Sequence, residues 1–218
     1  MNTGFKTFVC AGAVILVADE LSAADRSDSL DALLYAQTVA AHKVSDGRDV
    51  ESWAHANNMA LRATGALLLD NPGVNFSAPF PESFTVLELA TRLLHSWIPA
   101  TVTRVCASAI ELQLKQVSAA VANQSIQPHV LLEGNCIRFM LGFVSSGTAV
   151  STVVVSFEVA EIVVDNVLYH RFNNKNIQGR VFVEGYKALI DPEDYGFSRA
   201  KVISLLGERR QEQIIALA

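Results

Sequence analysis

The sequence predicts a single α+β domain, and three observations predict it. Between residues 27 and 127 apolar side chains recur every three to four positions, the period of a helix. Between residues 129 and 186 they recur at every second position, the period of a strand. No Ser/Gly-rich linker, internal repeat or low-complexity tract divides these stretches, and 218 residues are enough for one large core.

Residues 1–25 are read as an opening strand. The stretch from Phe8 to Ala18, after a lone Lys6 and before Ser22-Ala23-Ala24, has the outline of a weak signal peptide. Thr7-Phe8-Val9 and Val14-Ile15-Leu16-Val17, however, are rich in β-formers. One positive charge ahead of the stretch, and Asp19-Glu20 just before the cleavage position, favour the strand.

Two helical hairpins follow over 27–127. The first helix starts near Ser29, carries Leu30, Leu33, Leu34 and Ala41 on one stripe, and ends before Asp46-Gly47. The second runs over 50–69 and stops at the breaker Asn71-Pro72-Gly73. A loop over 71–81 holds three prolines with Phe76 and Phe80. The third helix, 83–96, puts Phe84, Leu87, Ala90 and Leu94 on one face. Pro99 opens a fourth over 100–123, with Val102, Val105, Ala109, Leu112, Ala119 and Ala120 as its stripe.

The block at 129–186 reads as four strands, 130–145, 148–165, 167–173 and 176–186. Odd positions hold Ile137, Phe139, Leu141 and Phe143, then Val153, Val155, Phe157 and Val159; Thr152, Ser156 and Glu158 hold even ones. Such alternation puts one face on a core and leaves the other free. Runs of about ten residues are also long enough, when tilted, to cross the hydrocarbon layer of a bilayer. The helices offer Ala-rich stripes, from Leu33 to Ala41 and from Ala100 to Ala122, against strands that outrun them. Small side chains bury little area, so such layers detach at modest cost. In the last segment, 192–218, Pro192 opens a short helix to about Leu206, and a polar-then-apolar tail follows.

Half of the chain is apolar, 18% is charged, and the mean hydropathy is positive. No eighteen consecutive residues are apolar, which argues against a spanning helix. The net charge is −5 and there is no basic block, which disfavours nucleic acid as a partner and electrostatic attraction to anionic lipid. Any membrane affinity must then be hydrophobic or headgroup-specific.

Chemistry-bearing motifs are absent. Cys10, Cys106 and Cys136 are far apart and odd in number, as expected of buried small side chains rather than disulfides or metal ligands. His42, His55, His95, His129 and His170 fall in different elements without metal-ligand spacing. No nucleophile elbow, phosphate-binding loop or dinucleotide fingerprint occurs. Asp191, Glu193 and Asp194 lack the rest of a calcium loop and read as a helix N-terminus. Asn75-Phe76-Ser77 and Asn123-Gln124-Ser125 match the glycosylation triplet, which matters only in a secreted chain. The expectation is a protein that is not an enzyme and uses no metal or cofactor.

The order strand, helical hairpin, helical hairpin, long strands, short helix resembles the cytolytic Cyt δ-endotoxins and the related fungal volvatoxins. The local likeness runs through Val153-Val154-Val155-Ser156-Phe157-Glu158-Val159, Val167-Leu168-Tyr169-His170-Arg171-Phe172, Asn176-Ile177-Gln178 and Lys187-Ala188. These are similar to a family segment in which a "GFE" strand leads to a "VLFF" strand and an "NIQ" strand. Asn75-Phe76-Ser77-Ala78-Pro79 is similar to the family's "RFSMP" link, and residues 30–44 are similar to its first helix.

The resemblance implies a single α/β domain of three layers: a central, mostly antiparallel sheet wrapped by two layers of helical hairpins. It implies a secreted or stored cytolysin that acts at a target-cell membrane, binds phospholipid, forms homo-oligomers there and permeabilises the bilayer. The strands implied to insert are 135–144, 150–164 and 176–185, with Ile137, Phe139, Leu141, Phe143, Val153, Val155, Phe157, Val159, Val181 and Val183 facing lipid. Arg138, Glu158, Glu161 and Arg180 would have to face a lumen or be neutralised. Glu161 shares the parity of Val153 to Val159, so it fits only with a bulge or at an interface. The alternative function is a non-enzymatic lipid- or fatty-acyl-binding virulence factor on the same scaffold, with Cys136 or Cys106 as acylation candidates.

Overall fold

The computed structural model describes residues 4–70, 81–95, 98, 119–132, 135–163 and 166–217. Its first apolar stretch forms two strands rather than one, β1 (Phe5–Cys10) and β2 (Ala13–Ala18), paired antiparallel. The turn between them is Ala11-Gly12, with Ala11 at a left-handed φ of 50°. A Cβ on Gly12 would stand 2.9 Å from the carbonyl oxygen of His129, so only glycine admits that approach.

Helix α1 (Ala23–Lys43) is capped by Ser22, whose hydroxyl accepts from the Asp25 amide at 3.1 Å. Helix α2 (Val50–Ala63) is capped in the same way by Asp49 on the Ser52 amide. It ends six residues short of the expected position 69, at Thr64 and Gly65, the latter at φ 95°. The apolar residues beyond belong to β3 (Leu67–Asp70), which pairs with residues 187–189; tertiary pairing overrides the helical reading of Leu67 to Leu69.

Residues 71–80, the expected proline loop, lie outside the described residues. The helix expected over 83–96 begins later, because Ser83 and Phe84 pair as β4 (Ser83–Phe84) with residues 172–173. Helix α3 (Val86–Leu94) then starts on a reciprocal cap between Thr85 and Glu88. Most of the expected fourth helix lies outside the described residues; its described end, α4 (Ala119–Val130), continues seven residues past 123. Pro128 sits in its last turn, where it cannot donate to the carbonyl four residues earlier, and the helix ends two residues on.

That extension displaces the first long strand. Only β5 (Leu131–Leu132) precedes Asn135, at φ 64°, and β6 (Cys136–Val144) follows. The second strand, β7 (Ala149–Val159), stops short of 165. The strand expected over 167–173 is largely a turn, with the Leu168 amide bonded to Asn166 Oδ1, and only β8 (Phe172–Asn173) is extended. After one 3₁₀ turn, β9 (Ile177–Leu189) runs three residues past the expected end. Asp191 caps α5 (Pro192–Leu206), accepting from the Glu193 and Asp194 amides. The tail folds as α6 (Arg209–Gln213) and β10 (Ile214–Leu217).

The fold is α/β. The main sheet runs β10–β1–β2–β6–β7–β9–β3, with β5 alongside β6, and every pair is antiparallel except β2–β6. On one face α1, α2 and α5 bury Leu33, Leu34, Trp53, Leu61, Met140, Val154 and Tyr186. On the other, α3, α4 and the β4–β8 pair enclose Leu89, Leu93, Phe139, Val155, Phe157 and Phe172. The free face expected of the long strands is therefore absent: β6 is buried at all nine positions. Among the long strands only the start of β9, Gln178 to Arg180, emerges from the helical cover.

Candidate functional site

The β6–β7 hairpin is the centre of the molecule, and its register fixes two unlike faces. Ile137 lies opposite Phe157, Phe139 opposite Val155 and Leu141 opposite Val153. With Phe143 and Val159 these form one continuous apolar face, every member buried. Val183, opposite Val155, and Val181 extend it onto β9 as partly buried neighbours. The eight residues whose alternation predicts a common face share it, and Val181 and Val183 pack beside them. A one-residue slip would turn the whole set to the other side, so burial enforces the register.

Helix α3 covers this face with Val86, Leu87, Leu89, Ala90, Leu93 and Leu94, all buried. Phe84 and Phe172 close its end against Phe157 in edge-to-face contacts, at 5.6 Å and 5.0 Å between ring centroids. Arg171 fastens the rim, donating to Ser83 Oγ and Glu88 Oε1 at 3.3 Å each. A helix of nine residues is marginal alone in water, so α3 owes its order to the sheet beneath it.

The second face presents Cys136, Arg138, Met140, Gly142 and Val144 opposite Glu158, Ser156, Val154, Thr152 and Val150. Its charged groups meet the α1–α2 layer. Glu158 pairs with Arg48 at 3.0 Å, Arg180 pairs with Glu51, and the Arg138 guanidinium lies 4.2 Å from the centroid of the Trp53 ring. Glu161 stands past the end of β7, which removes its conflict of parity. It accepts from Asn176 Nδ2 at 2.7 Å and meets His170 Nε2 at 3.1 Å.

Cys136 is buried at the edge of this face. Its Sγ lies 3.2 Å from the Gly47 carbonyl oxygen, and burial raises its pKa, which disfavours the reactive thiolate. It borders a cavity of about 320 Å³ with Arg48, Glu51, Glu158 and Arg180. Cys10 is fully buried and its pKa is raised even further. Cys106 lies outside the described residues. Among the described residues no group of three or more His, Cys, Asp or Glu side chains is placed to hold a metal ion.

One cluster escaped the sequence reading. Arg138 and Trp53 border a cavity of about 180 Å³ together with Gln37, His129 and Arg209. A signal was present: Arg138 is the one charge in a nine-residue strand, and a lone charge in a buried strand needs a reason. The chain matches no protein-family model, no curated protein and no solved structure.

Proposed function

We propose that the protein is membrane-active: it binds phospholipid bilayers, assembles there into homo-oligomers and permeabilises them, without a catalytic step. The observation that carries this reading is the two-faced β6–β7 hairpin. Its strands have nine and eleven residues, the length a tilted strand needs to cross hydrocarbon. One face is wholly apolar and the other mixes Arg138, Thr152, Ser156 and Glu158 with apolar groups, as in a wall between lipid and a wet lumen. Among the described residues no helix is long and apolar enough to cross a membrane, so entry falls to the strands.

A magnitude decides when the cover leaves. Exposing the eight apolar side chains of the hairpin face to water costs about 1.5–3 kcal/mol each, on the order of 12–24 kcal/mol together, as much as a domain's whole stability or more. Lipid removes that penalty, because acyl chains replace α3 as the apolar neighbour. The uncovered state then belongs to the membrane and not to buffer. In this reading the chain is secreted or stored before it meets its target cell.

Leakage of dye from phospholipid vesicles tests the proposal. Release should rise with protein concentration, together with membrane-bound oligomers that are absent in buffer. Intact vesicles of both zwitterionic and mixed composition, across a range of pH, would overturn it.

A further inference from the structure

The cavity beside Arg138 lies on the face of the sheet opposite α3, between the β1–β2 turn, α1, α2, the end of α4 and α6. Arg138 is 9% exposed, and its Nη1 is buried with no hydrogen-bond partner. The indole Nε1 of Trp53, in the next layer, is also buried and unpartnered. Arg138 and Trp53 thus line one cavity, and each carries a buried donor that has no partner among the described residues.

Five other arginines behave differently. Arg48, Arg171, Arg180, Arg199 and Arg210 each hold a carboxylate. Among the described residues Arg138 holds none, and no Asp or Glu borders its cavity. Other donors nearby are spent: Gln37 Nε2 donates to the Cys10 carbonyl at 3.0 Å, and the Thr38 hydroxyl donates to the Leu34 carbonyl at 2.8 Å. Arg209 stands exposed at the mouth and adds a second positive charge. Burial without a counter-charge lowers the pKa of Arg138 to about 10, the mark of a charge held at a cost.

A cation kept in the interior without an anion, beside space, calls for an anion from outside. We propose that this cavity binds a phosphate group, held by Arg138 and the Trp53 indole N–H with Arg209 at its entrance. The donors come from β6, α2 and α6, three separate walls, an arrangement suited to a tetrahedral oxyanion rather than a planar carboxylate. The inference goes beyond the membrane reading and stands or falls apart from it. The phosphate could belong to a free ion or to a lipid headgroup, and the experiment separates the two.

Calorimetric titration of the full chain with inorganic phosphate, and separately with glycerophosphocholine, at constant ionic strength is the test. Phosphate should bind, and Arg138→Met should weaken it about tenfold or more, the worth of a charge-assisted pair. Trp53→Phe keeps an aromatic ring under the guanidinium and removes the donor; it should weaken binding by a smaller factor, with a modest fall in the melting temperature of the free protein from the volume lost at a buried site. Arg138→Met should also raise the melting temperature without ligand, since an unpaired buried charge is exchanged for an apolar side chain of similar length. Binding of phosphate alone assigns the site to the free ion, and binding of glycerophosphocholine as well assigns it to the phosphate of a headgroup. Heat no different from that of matched chloride for both ligands would overturn the proposal, as would wild-type affinity in both Trp53→Phe and Arg138→Met.

Discussion

Arg210 Nε donates to Asp31 Oδ1 at 2.8 Å, and the Asp31 side chain is only 2% exposed. A carboxylate in the middle of α1 is thus neutralised from α6, far away in sequence, and Arg199 of α5 grips Asp28 through both of its carboxylate oxygens, one turn earlier. Removing one partner leaves the other charge buried alone. Arg210→Met should therefore destabilise the protein by about 3–5 kcal/mol in urea unfolding, and the double variant with Asp31→Leu should recover most of that loss.

The faces of β7 should respond unequally. Phe157→Ala removes a ring packed against Phe84 and Phe172 and should cost about 3–5 kcal/mol. Val155→Asp buries an unpaired charge at a fully buried position and should abolish soluble expression. Ser156→Ala, on the polar face, should change the urea midpoint little.

A covalent clamp tests the mobility of the cover. The Asn174 amide donates to the Glu82 carbonyl, so the neighbouring pair Ser83 and Asn173 is of the non-hydrogen-bonded kind, with Cα atoms about 4.5 Å apart. Ser83→Cys with Asn173→Cys should form a disulfide that ties the start of α3 to β8. Circular dichroism should be unchanged, vesicle leakage should fall at least tenfold in the oxidised form, and reductant should restore it. Equal leakage in both forms would rule out detachment of α3 as the opening step.

Acid should weaken the fold through His129. Its pKa is lowered from the usual 6.5 by burial first and by Arg138 second, while Arg209 faces the same cavity. A lowered folded-state value means the unfolded chain takes up the proton first as pH falls. Stability from this residue is complete above about pH 6.5 and lost below it, with a slope of at most about 1.4 kcal/mol per pH unit. Urea midpoints measured from pH 7.5 to 5 should show the loss, and His129→Gln should flatten the curve.

The thiols of Cys10 and Cys136 are buried, with raised pKa values. Thiol titration with an aromatic disulfide reagent at pH 7.5 should label neither in the native protein within minutes and both after denaturation. Rapid native labelling of Cys136 would revive it as an acylation position.

The parts legible in the sequence are those that local patterns encode. The helix start at Asp191, the alternation through Ile137–Phe143 and Val153–Val159, and the switch from helical to strand period all follow from neighbours within a few residues. Leu67 to Leu69 continue an apolar run in a way that cannot be told from a helix without knowing that Ala188 and Leu189 wait to pair with them. The cavity draws on residues near positions 12, 37, 53, 129, 138 and 209, and no spacing in the chain connects these. Glu161 looked anomalous only because the end of β7 is set by Asn176 and His170, which lie on the returning segment.

The parallel seam between β2 and β6 has a kinetic meaning. Hairpins β1–β2 and β6–β7 each close through a short turn and can form quickly, but Ala13 meets Met140, and Val17 meets Val144, only after the intervening chain has come round. Refolding is therefore expected to form the two hairpins first and to close that seam last. Until it closes, the freshly formed β6–β7 ribbon has a bare edge, and this is the moment at which the protein is most exposed to aggregation.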